Sequence, residues 1–247
     1  MAQTVNLRGV MLRFAITDPY ARENPVGELQ TKNRLIYHGT HSMFSPSIEQ
    51  HGFCFECFDT TYRTQVLTIV DACDKFDLHP DGHDTAKGFS EKNWVYFSVS
   101  FLSARGYALN VGCERIDGAL RAAKTLFAFV EDKNKLQSKV AFLDTVLNQN
   151  GHHPATERVL ANLRNSDLVR QLADRVQKAR FALDLATSQG YPVVYAVHAD
   201  QDWIRGNATS TSDWERETFG GIGLPRVSAD RIVVRVEYPN GISPDSE

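Results

Sequence analysis

The chain has 247 residues, a formal net charge of −3 and a pI of about 6.2. That length fits one large domain or two small ones, with room for a substantial core, and the charge carries no basic excess that would point to nucleic acid. Apolar residues at 42% and charged residues at 23% are those of an ordinary soluble globular protein.

The first strand signal lies around Val10–Ile16, and residues 18–32, with Pro19, Pro25 and Gly27, read as loop. Leu35-Ile36-Tyr37-His38-Gly39-Thr40 is a short apolar run stopped by a histidine and a glycine, which reads as a buried strand. A short helix follows near Ser47–Gln50, with Gly52 as its C-cap. Phe53–Phe58 reads as a strand. Val66, Leu67, Ile69, Val70 and Cys73 keep near-helical spacing, and His79–Lys87 reads as a polar loop. Trp94–Val99 is a strand, and Ser100–Asn110 a short helix.

The pattern then changes. Ile116, Leu120, Ala123 and Val130, then Leu136, Val140, Leu143 and Leu147, repeat at helical intervals. Pro154 suits a first helical turn, and Leu168, Leu172, Val176, Ala179 and Leu183 make a further helical face. The apolar stripes of this block read as core before partner surface. Pro192–Val197 and Arg231–Tyr238 return to strand, with a short strand at Trp214–Phe219 and a loose tail at 239–247. The expected organisation is α+β, one catalytic domain over 1–247 with a helical insertion at about 115–190.

The four cysteines, Cys54, Cys57, Cys73 and Cys113, are too few for a disulfide scaffold, so reduced thiols are expected. Cys54-x-x-Cys57 with His79-x-x-x-His83 imitates a zinc set, but the 21-residue gap between the pairs exceeds finger spacing. Strand alternation would also turn the two cysteines to opposite faces. No metal is therefore expected, and His79, His83, His152 and His153 read as loop residues. No apolar run reaches a membrane span, and no secretory signal is legible at the start. The expected location is cytoplasmic, or that of an effector delivered without a cleavable signal, and no membrane partner is expected.

Three pieces of sequence carry chemistry. Tyr37-His38-Gly39-Thr40 is followed by Ser47-Ile48 and Gly52; Val95-Tyr96-Phe97-Ser98 is followed by Gly106-Tyr107-Ala108, with Tyr96 and Tyr107 eleven positions apart; Glu215-Arg216-Glu217-Thr218 precedes Leu224-Pro225 and Arg231-Ile232-Val233-Val234. In content and order these resemble the motifs of the ADP-ribosyltransferases of the His-Tyr-Glu type, the group of the diphtheria-like toxins and the poly(ADP-ribose) polymerases. The resemblance covers a minority of the chain, in pieces. It implies a fold built on a split pair of mostly antiparallel sheets, NAD as the substrate that donates ADP-ribose, and no metal.

The resemblance also implies roles. Cleavage of the bond between nicotinamide and ribose passes through an oxocarbenium-like state, as in glycoside hydrolysis, so a carboxylate holding the ribose 2-hydroxyl lowers the barrier; Glu217 takes that role. Gly39 offers bare backbone to the nicotinamide carboxamide. Tyr96 and Tyr107 stack on the flat, cationic ring. His38 bonds the adenosine-side ribose, with Thr40 supporting it. Where the family carries a serine contacting the carboxamide, this chain has Ala104, and either Ser103 beside it substitutes or the contact is missing. Glu215 forms a Glu-x-Glu pair, similar to the arginine-modifying branch, where the first glutamate orients the acceptor; Thr209-Ser210-Thr211-Ser212 is similar to that branch's Ser-Thr-Ser tract. His38, where that branch has arginine, keeps the His-Tyr-Glu reading. The expected function is NAD-dependent mono-ADP-ribosyl transfer, a glycosyltransferase reaction that releases nicotinamide, onto a macromolecular acceptor, a protein before a nucleic acid. The alternatives are an inactive transferase-like binding module and an NAD glycohydrolase without an acceptor.

Overall fold

The computed structural model describes residues 11–15, 35–54, 60–91, 95–110, 113–199, 221–224 and 226–239. The described chain is a mixture of helices with a mostly antiparallel six-stranded sheet and a small second sheet. By its internal contacts it divides into two units, one of 1–60, 92–113 and 186–247 and one of 61–91 and 114–185. Among the described residues no helix is long and apolar enough to cross a membrane.

The first unit holds the strands. β1 is Leu12–Ala15, β2 Leu35–His41, β3 Phe53–Cys54, β4 Val95–Ser98, β5 Pro192–His198, β6 Gly221–Leu224, β7 Arg226–Val227 and β8 Ile232–Glu237. The large sheet runs β1-β8-β5-β2-β4-β6, and β3 pairs β7 in the small one. Among the described strands only β1 with β8 is parallel. β5 forms the middle of the sheet because Val193, Val194, Tyr195, Ala196 and Val197 are all buried, as a strand covered on both faces requires. The strand expected at 214–219 lies outside the described residues, as do 55–58 of the strand expected at 53–58.

Alternation along β2 sorts its residues between the two faces. Tyr37 and Gly39 face helix α4, Phe101–Asn110, which packs Phe101, Ala104 and Ala108 against Leu35, Tyr37, Val194 and Ala196. Tyr37 meets Phe101 edge-on at 5.6 Å between ring centroids. His38 faces the other way, with Tyr195 opposite it in register. That second face carries helix α1, Ser45–His51, whose Gly52 cap has φ +76° and donates its N–H to the Ile48 carbonyl, the left-handed stop that glycine allows. Glu49 of α1 accepts from the buried Arg235 of β8 and pairs with Arg13 of β1 at 2.8 Å.

The second unit is helical. α2 spans Thr60–Lys75, α3 His83–Glu91, α5 Glu114–Glu131, α6 Lys133–Asn150, α7 Pro154–Arg164 and α8 Ser166–Ser188. The apolar repeats read from sequence become buried positions, among them Ile116, Leu126, Leu172, Val176 and Leu183. Asp132 caps α6 through the N–H groups of Asn134 and Lys135, and Pro154 opens α7. Two expectations need correction. The polar stretch 79–87 is not all loop: α3 starts at His83 because Gly82, at φ +86°, lets its backbone lie against Gly118 of α5, where a side chain on either glycine would strike the other's backbone. Thiols are not all reduced: Cys54 is disulfide-bonded, whereas Cys73 is a buried free thiol.

Candidate functional site

The chemistry-bearing residues of the first two motifs meet at the β6 end of the large sheet. β2 and β4 share one register pair, Tyr37 with Ser98. β2 is held along its other side by seven successive pairs with β5. The strand carrying His38-Gly39-Thr40 thus has one fully paired side and one side with a single pair beside β4.

Across that side, the His38 Nδ1 lies 2.7 Å from the backbone carbonyl oxygen of Tyr96. A carbonyl only accepts, so Nδ1 carries the proton. The ring is wedged between Phe53 at 4.9 Å and Phe97 at 5.4 Å, which also meet each other edge-on at 5.1 Å. This aromatic box fixes the imidazole. No sequence motif announced it, because Phe53 and Phe97 belong to distant segments; the only local signal is that Phe97 alternates with Tyr96. Thr40 shares the face of His38 and is buried.

Tyr96 stands on the opposite face, the one covered by α4, since its neighbour Phe97 occupies the His38 face. It is half-buried. Its register partner on β6 is Gly223, and Gly221 stands opposite Ser98. Gly221 and Gly223 thus share the face of Ser98 and Tyr96.

α4 begins where it does because the Ser100 hydroxyl accepts from the Ser103 N–H at 3.3 Å, and the Ser98 hydroxyl from the Ser100 N–H at 3.0 Å, an N-terminal cap of the usual kind. Ser103 and Tyr107 are exposed along the helix, with Tyr107 39% accessible, whereas Ala104 is buried. The burial has a direct cause. A Cβ built on Gly39 would lie 2.0 Å from the Ala104 carbonyl oxygen, so the helix backbone rests on the glycine. Gly39 is therefore also a packing residue, a role its sequence motif did not reveal.

The surrounding ionisable groups are held in one state. Burial pushes the Tyr37 phenol up to about 12. Burial likewise raises Tyr238 to about 12, with Arg105 of α4 pulling the other way from 5.9 Å over its ring. Both phenols stay protonated near neutrality. Arg105 Nε is buried with no hydrogen-bond partner among the described residues, which marks it as a cation on the α4 side of the sheet that the sequence reading did not single out.

Of the predicted residues, His38, Gly39, Thr40, Tyr96, Ser103 and Tyr107 are thus gathered on β2, β4 and α4. Glu215 and Glu217, with the tract 209–212, lie outside the described residues. No protein-family model, curated protein or solved structure matches this chain.

Proposed function

We propose that the chain is an NAD-dependent mono-ADP-ribosyltransferase, with the ADP-ribosyltransferase arrangement of sheets and a helical insertion. The observation that carries the reading is the adjacency of β2 and β4: His38 Nδ1 is 2.7 Å from the Tyr96 carbonyl oxygen, and α4, on the opposite face of the sheet, bears Ser103 and Tyr107. Residues 58 positions apart meet in the order the resemblance requires. In this reading Tyr96 and the exposed Tyr107 stack on nicotinamide, and His38 and Thr40 hold the adenosine-side ribose. Glu217 holds the reacting ribose, and Glu215 orients the acceptor. The bond from nicotinamide nitrogen to the ribose anomeric carbon breaks with its electron pair leaving on nicotinamide. A nucleophile of the acceptor bonds that carbon and gives up its proton.

The test is a nicotinamide-release assay with labelled NAD, run on the chain alone and with cell lysate, with and without nuclease. The expected result is release, with label on protein, and a loss of about 10²- to 10³-fold in Glu217→Gln with NAD binding retained. No NAD binding and no release overturns the reading. Full activity in Glu217→Gln overturns the assignment of that carboxylate.

A second reading, a transferase-like module that binds without turnover, has one observation in its favour. Ala104 stands at the carboxamide-contact position, and its carbonyl occupies the space directly above Gly39. Such a module would leave NAD intact in the same assay, whereas a glycohydrolase would release nicotinamide equally with and without lysate.

A further inference from the structure

We propose that Asp74, His79 and His83 form a binding site for a divalent first-row transition metal of the Zn²⁺ class, with Asp84 as the group that orients His83. The site lies within the helical unit, where the C-terminal end of α2, the turn 76–82 and the start of α3 come together, and it stands independently of the proposed transferase activity. One ligand atom from each of the three residues lies within 4.8 Å of the others. The positive φ of Asp77, +52°, reverses the chain after α2 and returns His79 and His83 to Asp74.

His83 carries the argument. Its side chain is 1% exposed, yet both ring nitrogens face carboxylates: Nε2 is 2.8 Å from Asp74 Oδ1 and Nδ1 is 3.0 Å from Asp84 Oδ1. A neutral imidazole has one N–H and one lone pair, so it satisfies only one of two carboxylates. The other then faces the lone pair, which is repulsive unless a positive charge lies between them. A metal ion supplies that charge. Nδ1–H then donates to Asp84, and the Nε2 lone pair and the Asp74 oxygen both turn to the ion. This is the carboxylate–histidine–metal relay that fixes tautomer and ring direction in metal sites. His79, its ring centroid 5.1 Å from that of His83, adds the third ligand.

Two imidazoles and one carboxylate, with a fourth position for water, suit zinc and its neighbours rather than calcium or magnesium. Ligand atoms around tetrahedral zinc sit about 3.4 Å apart, so His83 Nε2 and Asp74 Oδ1, now 2.8 Å apart, must open by roughly 0.6 Å, and any pair near the 4.8 Å limit must close. His79 and Asp74, with side chains 62% and 41% exposed, are the ones able to move. Other charges at the rim are Asp77, 3.5 Å from His79 Nε2, and Lys139, whose Nζ bonds the Asp77 carbonyl.

The experiment titrates the untagged full chain, stripped of metal, with Co²⁺ and then displaces it with Zn²⁺. The expected result is one equivalent of Co²⁺ bound at micromolar concentration, with a tetrahedral visible spectrum, no thiolate-to-metal band, and displacement by Zn²⁺. His79→Ala changes an exposed side chain and keeps the fold; it and Asp74→Asn should each weaken binding at least about 10-fold with unchanged far-ultraviolet circular dichroism. Absence of saturable binding overturns the proposal, as does binding that both variants leave intact. A loss of stability in Asp74→Asn without any metal response in the wild type also overturns it, since the Asp74–His83 contact is then a direct structural one.

Discussion

Substituting Gly39 by alanine sets the packing of α4 against the sheet directly at issue. The added Cβ would stand 2.0 Å from the Ala104 carbonyl oxygen and 3.0 Å from both the Ala104 carbonyl carbon and the Ala108 nitrogen. All three are backbone atoms, so no side-chain rotation relieves the clash. Ordinary contact begins near 3.4 Å, and the helix must back away by roughly 1.4 Å or the strand must bend. Such a shift loosens Phe101, Ala104 and Ala108 from the core together. Overpacking of this kind costs about 3 kcal/mol, against which the lower backbone entropy of alanine returns about 0.5–1 kcal/mol. The net loss is about 2 kcal/mol, which lowers Tm by about 4–8 °C for a chain of this size. Gly106→Ala is the internal control. It sits in the same helix with nothing within 4 Å of its added Cβ, and should stabilise by about 0.5–1 kcal/mol. Differential scanning calorimetry of the two variants, with hydrogen exchange along α4, measures both signs. A Gly39→Ala variant that melts within 1 °C of wild type, or a Gly106→Ala variant that loses as much as Gly39→Ala, would refute the close approach.

Burial holds the pKa of His41 below the ordinary histidine value, with a backbone hydrogen bond to Thr187 acting the other way. The unfolded chain therefore takes up the proton first, so stability present above about pH 6.5 should fall as pH drops through the folded value; His41→Gln should flatten that acid limb of Tm against pH, and an unchanged limb contradicts it. Glu49→Gln removes a charged partner of Arg235, whose side chain is 8% exposed. Because Glu237 remains 2.7 Å from the Arg235 Nε, the expected loss is about 2 kcal/mol rather than the full cost of an isolated buried charge, read by urea unfolding. Asp132→Ala deletes the cap that accepts from Asn134 and Lys135 at 3.0 and 3.2 Å and should cost about 1 kcal/mol; a midpoint shift in urea no larger than that of an exposed control substitution on α6 would speak against the cap.

Local pattern alone was enough for the elements whose residues repeat with one period. The helical intervals from Ile116 to Leu183 and the apolar run Pro192–Val197 read correctly, because period and burial are encoded within a few turns or one strand. The abrupt end of Leu35–Thr40 likewise marked β2. Pairing was not legible. Nothing near His38 says that its Nδ1 meets the Tyr96 carbonyl or that Phe53 and Phe97 enclose its ring, because those contacts depend on strand order. His83, read as a loop residue, is a buried helix start for the same reason: its burial depends on Gly82 lying against Gly118, thirty-six positions further on.

By itself the sequence determined the strongly periodic helices and the apolar strands, the order of the histidine, tyrosine and glutamate motifs, and the absence of a charge excess. Tertiary structure decided what those residues touch. It made Gly39 the seat of α4, set Gly223 opposite Tyr96, and put both nitrogens of a buried His83 against carboxylates beside His79. Each is a consequence of strand register and helix approach, which arise from contacts between residues far apart in the chain and so cannot be written in any single stretch of it.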